Sequence, residues 1–348
     1  MQKVNFSILF FLITVPASLI SRSMHRPHDN QLPTITTSWL DDNKKYVLSD
    51  SHWELYPIFK LFDEHFFNNH LLPQDEIFFR NSAYEKIQPQ LINRMVETLI
   101  EEIKQQKKHY THFSILQKKD FNRKKGCGLL ILKCKQYPFV VKMFIETPKS
   151  FIDPWCKGRE PVFFFYMGGG VNRHLTGLTR IKNLTMINEK IKNNSLWHTY
   201  ISTPRKWYWL PKNPQWIAIH GENIGPEKNV STKIPGIYAI IADYIEKEKG
   251  FSLGNPHDRA VALSLCNGLD MLIDPHIQNF FIEKNSRKIV IVDTEHFPTV
   301  VGFKEKKAFN NYLSWYLSLA GKCAKDMFFR TKNERKDAQS SASIYTFT

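Results

Sequence analysis

The part of the chain best equipped for chemistry is LIDPHIQNFFIEKNSRKIVIVDTEHF, where Asp274 is followed five positions later by Asn279 and Asp293 closes the next apolar hairpin pattern. Moving a phosphoryl group from ATP to a hydroxyl requires a residue that orients or deprotonates that hydroxyl. It also requires oxygen ligands for a Mg²⁺ ion bridging the phosphates. An Asp, an Asn and a second Asp on one loop and hairpin supply both. Asp also suits loop caps and strand ends for turn reasons alone, so the spacing gains force only from its setting, a helical pattern before it and a hairpin ending in Val292-Asp293 after it. Lys142 is a separate signal, because it interrupts the apolar run FVVKMF. In an alternating strand it shares a face with Val140, and a buried or half-buried ammonium there needs an anionic partner. An edge-strand lysine that blocks aggregation is the competing account.

These residues need elements to hold them. FSILQ (113–117), GLLILKC (128–134) and FVVKMF (139–144) predict three antiparallel strands joined by short turns. A Gly-rich segment, YMGGGVN (166–172), precedes a helical pattern over 177–194, and two further strands are expected near 203–210 and 215–221. Gly168 to Gly170 could form a phosphate nest or a hinge. Beyond Gly225 the pattern reads as mainly helical. IPGIYAIIADYIEKEKG (234–250) is expected to be a helix, as is NPHDRAVALSLCNGLD (255–270), with Asn255 as cap and Pro256 at the first position. A last helix is expected over 306–329. Upstream, Ser23 to Ser51 reads as an extended lead-in without a core of its own, and 52–110 as helical, with Leu91, Met95, Leu99 and Ile103 forming an apolar stripe.

Asp274-Pro-His276-Ile-Gln-Asn279 resembles the D-x-H-x-x-N loop of aminoglycoside phosphotransferases, choline kinases and related members of the protein-kinase-like superfamily. Val292-Asp293-Thr-Glu295 resembles their D-x-E or D-x-D segment. The resemblance spans about Phe113 to Phe297. It implies an α+β, two-lobed protein-kinase-like fold with an antiparallel-sheet N-lobe (111–224) and a small helical C-lobe (225–329). A helical N-terminal extension (24–110) precedes the lobes, and a tail (330–348) expected to be disordered follows. It further implies that Asp274 is the catalytic base, with His276 near the transferred phosphate, and that Asn279, Asp293 and Glu295 are metal ligands. Lys142, Gly126 and Gly128 would contact the nucleotide, together with Glu222 in a hinge at His220 to Glu222. Glu189 is the expected helix partner of Lys142, with Glu160 as the rival favoured by spacing from Lys142. ATP and Mg²⁺ would be the cofactors. The sequence departs from the family in its degenerate Gly loop (NRKKGCG), in the long segment 145–176, and in Leu272-Ile273 before the catalytic Asp. Only one long helix follows Asp293, which argues against a conventional protein kinase.

Composition bounds the rest. The 348 residues are 42% hydrophobic and 14% aromatic, enough for a sizeable core, and the net charge is +15. Such a charge suits an anionic partner. Three functions are therefore carried forward. The first is an ATP- and Mg²⁺-dependent phosphotransferase acting on a small-molecule or atypical hydroxyl acceptor. The second is a pseudokinase or binding module without catalysis. The third is a basic protein for nucleic acid or the surface of an anionic membrane, suggested by the aromatic stretch RKWYWLPKNPQW (205–216), whose tryptophans read better as core. Lys3 followed by an apolar run from Phe6 to Ile20 has the layout of a cleaved secretory signal over residues 1–23, and an uncleaved anchor is the alternative. Five scattered cysteines without a CxxC pair argue against a zinc site or disulfide framework, though not against a single bridge. Asn183 and Asn229 fit the glycosylation pattern.

Overall fold

The computed structural model describes residues 34–49, 62–119, 121–152, 170–224, 227–270 and 273–295, with the single positions 311 and 314. The expected leader, the last helix, the tail, Glu160 and Gly168-Gly169 lie outside these residues.

The architecture is mixed α+β, with several antiparallel sheets and few helices. Its centre is a five-stranded sheet of β5 (Phe113–Lys118), β6 (Gly128–Cys134), β7 (Phe139–Ile145), β9 (Lys206–Trp209) and β12 (Ile237–Asp243), in the order β5-β6-β7-β12-β9. All neighbours are antiparallel, and Lys142 in β7 lies between Ile131 of β6 and Ile240 of β12. The strand alternation divides the side chains between two cores. One face presents Leu130, Leu132, Phe139, Val141, Met143 and Ile241 to helix α2 (Pro89–Lys104), which buries Ile92, Met95, Val96, Leu99, Ile100 and Ile103 against them. The stripe expected on this helix is displaced at its start, since Leu91 is exposed and Ile92 is buried. Glu102, buried near the end of α2, accepts the Thr111 N–H and hydroxyl (3.0 and 2.6 Å) and so fixes the turn into β5.

The other face carries Leu129, Phe144, Tyr208, Tyr238 and Ile240, and packs against helices α4 (Gly170–Gly177) and α5 (Arg180–Lys192) through Leu175, Leu178 and Ile181. Gly177 is where helix and sheet come closest. A Cβ there would meet the Tyr238 hydroxyl and lie 2.7 Å from the Phe144 ring, in an aromatic pair stacked at 4.7 Å. Gly177→Ala should therefore overpack this contact and lower stability by about 1–3 kcal/mol, measured as a fall in the urea midpoint. An unchanged midpoint would show that α4 can shift freely.

Three expectations are corrected. Residues 234–250 are not a helix, because Ile237–Asp243 is β12 and Lys247–Gly250 is a further strand, β13. As a central strand buried on both faces, β12 shows a continuous apolar run, which periodicity cannot separate from a buried helix. The lead-in is also not coreless. Strands β1 (Thr34–Trp39) and β2 (Tyr46–Ser49) form a second sheet, ordered β11-β10-β1-β2, with β10 (Trp216–Ile224) and β11 (Glu227–Pro235). Ile35, Ile217, Ile219 and Ile234 of this sheet join the α4/α5 core. Between the lead-in and α2, helix α1 (Glu64–Asn69) and the short ribbon of β3 (Ile77–Phe78) and β4 (Lys86–Ile87) replace the continuous helical pattern expected there.

The third unit follows β12. Helix α7 (Pro256–Gly268) is capped by Asn255, whose Oδ1 accepts the His257 N–H at 3.0 Å. The hairpin β14 (Phe280–Glu283) and β15 (Ile289–Ile291) pairs with β13 on one side and, in parallel, with β8 (Ile201–Ser202) on the other. Ile187 and Ile191 of α5 share a core with Leu265, Cys266, Ile273, Phe280 and Ile291, so α5 links the central sheet to this unit. Among the described residues no helix is long and apolar enough to cross a membrane.

Candidate functional site

The segment leaving β15, Val292 to Glu295, is held from several sides. Lys142 Nζ donates to Asp293 Oδ2 at 3.0 Å. The first residue of α5, Arg180, is 3% exposed and forks across two carboxylates, with Nη1 to Asp293 Oδ1 and Nη2 to Glu295 Oε2. Thr176 of α4 donates its hydroxyl to Glu295 Oε1 at 2.6 Å. Between the carboxylates, the fully buried Thr294 accepts from Lys206 Nζ (2.7 Å) and donates to the Arg180 carbonyl (2.6 Å). The Thr294 carbonyl accepts from Asn183 Nδ2 at 3.0 Å. Asn183 is thus a buried structural residue, which removes it as a glycosylation acceptor in the folded chain. Asn229 is exposed on β11.

The loop before β14 completes the site. Asp274 Oδ1 accepts the His276 N–H at 3.0 Å, and Asn279 Nδ2 donates back to the Asp274 carbonyl at 3.2 Å. The Val292 N–H bonds to the Asn279 carbonyl at 3.0 Å, tying this loop to the Asp293 segment. Asp274 and Asn279 therefore come together with Lys142, Asp293 and Glu295, and His276 adjoins them.

The electrostatics follow from burial and crowding. Burial alone would raise the Asp293 carboxyl, but the charges of Arg180, Lys142 and Lys206 overcome it and hold Asp293 well below the usual carboxylate range. Burial lowers Lys142, with the Arg180 charge adding to the effect, and pushes Lys206 down further. Asp274 moves the opposite way. Burial first, and then the charges of Glu295 and Asp293, push it up to about 7 despite the His276 N–H. Burial and the Lys119 charge lower His276.

Four expected site residues do not take their expected places. Glu222 is exposed on β10, in the second sheet, so His220 to Glu222 cannot be the segment leaving the central sheet. That exit is Asp243 to Lys247, between β12 and β13. Glu189 lies nine residues after Arg180 on α5. At about 100° per residue this puts it on the opposite side of the helix, and it is exposed. The helix offers Lys142 a fellow cation, Arg180, and the Lys pairs with Asp293 instead. Gly126 and Gly128 both adopt positive φ (+62° and +109°), but as parts of a tight hairpin. Asn122 Oδ1 takes the N–H groups of Lys124 and Lys125 (3.0 and 3.2 Å), and the Asn122 carbonyl takes that of Gly126 (2.8 Å). The Lys124, Lys125 and Gly126 amides are committed within the turn.

Sequence reasoning missed Arg180, Lys206 and Thr176. The argument that singled out Lys142 applies equally to Lys206, which precedes Trp207 in the short strand KWYW and is 6% exposed. Trp209 of the same strand is buried and bonds Asn93 Oδ1 at 2.9 Å, so it belongs to the core and is closed to base stacking. Cys127, Cys134 and Cys266 are likewise buried, as thiols.

In this arrangement a protein cation, Arg180, stands between the two carboxylates that the resemblance would give to a divalent ion. All four oxygens of Asp293 and Glu295 already accept from protein donors, and no cluster of three or more His, Cys, Asp or Glu side chains suited to a metal occurs among the described residues. No protein-family model, curated protein or solved structure matches the chain.

Proposed function

We propose that this chain is an exported phosphotransferase of protein-kinase-like architecture, which binds ATP between the central sheet and the α7/β14–β15 unit and phosphorylates a hydroxyl acceptor. One observation carries the reading. Lys142, on the third strand of a sheet ordered β5-β6-β7-β12-β9, meets Asp293 at 3.0 Å, and the loop bearing Asp274 and Asn279 is tied to the same segment. That strand order, with a lysine on its third strand and an Asp-Asn loop opening a hairpin that ends in Asp, resembles the nucleotide lobe and catalytic loop of the superfamily. The α7/β14–β15 unit takes the place of its second lobe. The leader-like run at Phe6 to Ile20 supports export.

In this reading Lys142 neutralises the α and β phosphates and Arg180 lies beside the charge that develops on transfer. Asp274, titrating near neutrality, accepts the proton of the attacking hydroxyl. Asn279 and the His276 N–H fix the orientation of that carboxyl and its loop. A nucleotide-binding module without turnover is the second reading, favoured by the degenerate Gly turn, whose amides are internally bonded.

Calorimetry of the full chain with ATP tests the shared premise. Affinity should be measurable, and Lys142→Met should weaken it by about tenfold or more, the loss expected for one charge-assisted phosphate contact. Undetectable binding at millimolar ATP would refute both readings. Turnover of ATP over a panel of hydroxyl acceptors separates them.

A further inference from the structure

The cations at the site are arranged as a built-in counter-charge. Arg180, Lys142 and Lys206 come from three different elements, α5, β7 and β9, and converge on one short segment. Arg180 bridges the two carboxylates that a divalent ion would need to bridge. Its guanidinium is planar and pre-organised, and suits phosphate oxygens as well as carboxylates. Although it is 3% exposed, its Nε has no hydrogen-bond acceptor among the described residues, so this buried donor remains unused. Bringing a doubly charged ion against Arg180 and Lys142 would set like charges together where water screens them poorly. Mg²⁺ also demands a near-octahedral set of oxygens, whereas each oxygen of Asp293 and Glu295 already accepts from a protein donor.

We infer that Arg180 occupies the place of the divalent cation, so that the site binds the polyphosphate of a free nucleoside triphosphate without metal. The inference rests on the nucleotide-binding reading above and specifies the form of the ligand. Metal-free ATP carries more negative charge than its Mg²⁺ complex, and Arg180 with Lys142 meets that charge.

The test uses the full-length chain and ATP, titrated by calorimetry once in EDTA and once with saturating Mg²⁺. Affinity in EDTA should equal or exceed that with Mg²⁺, and Mn²⁺ added without nucleotide should give no bound signal by electron paramagnetic resonance. Arg180→Gln should weaken binding in EDTA by about tenfold or more. By releasing the carboxylate oxygens, it should also create a dependence on Mg²⁺ that the unaltered chain lacks. The EDTA and Mg²⁺ comparison on the unaltered chain stands even if the variant fails to fold. Binding only in the presence of Mg²⁺ overturns this inference and leaves nucleotide binding intact. No binding under either condition overturns both.

Discussion

Replacing Asp274 with Asn is expected to abolish turnover and to make the protein more stable at pH 8. The two effects share one cause. Burial and the neighbouring carboxylates raise the folded-state pKa of Asp274 from its ordinary 3.8 to about 7. Below about pH 4 the carboxyl is protonated in both folded and unfolded chains and contributes no difference. As pH rises from 4 to 7, the unfolded chain releases this proton while the folded chain retains it, so folding is progressively disfavoured. Above pH 7 the penalty is constant. An Asn has no proton to lose, and its side-chain oxygen can still accept the His276 N–H. The variant should be more stable by roughly 2–4 kcal/mol at pH 8 and nearly equal near pH 4. Urea denaturation of both proteins across this range measures it. A difference that does not change with pH, or a less stable variant at pH 8, would contradict the assigned burial of this carboxyl. Loss of activity together with a gain in stability is the signature of a strained functional group rather than a structural one.

Asp293→Ala should have the largest effect of the opposite sign. Its carboxylate is the shared partner of Lys142 and Arg180, and Lys206 lies close by. Removing it leaves several cations together with Glu295 as the remaining counter-charge. A broken buried pair of this kind costs about 3–5 kcal/mol, because the partner charge stays desolvated and uncompensated. Adding Lys142→Met to Asp293→Ala should recover part of the loss, so the two substitutions should be clearly non-additive. A melting temperature for Asp293→Ala within about a degree of the parent would show that these cations are well hydrated, and would undo the electrostatic account of the site.

The motif around Asp274, Asn279 and Asp293 was legible because one hairpin carries all of it, as were β5, β6 and β7, whose turns are local. What escaped notice depends on distant partners. β1 has two apolar residues, Ile35 and Trp39, among Thr and Ser, and pairs with a strand far along the chain, so nothing nearby announces it as part of a sheet. β12 looks like a helix because both its faces are buried. Arg180 was invisible for a chemical reason. The resemblance points to an acid on the helix as the partner of Lys142, whereas the helix supplies the Arg180 guanidinium and the acid is Asp293.

The pairing of Thr34 with Glu222 bears on how the molecule is assembled. A ribosome delivers β1 and β2 long before β10 exists, and closing a loop of roughly 190 residues is entropically unfavourable until its contacts form. The second sheet must therefore complete late, after the central strands β5 to β7 have found their neighbours. Until then β1 presents an open edge. Folding should show a slow phase that belongs to the non-local sheet, and through that phase the edge is open to pairing with another chain.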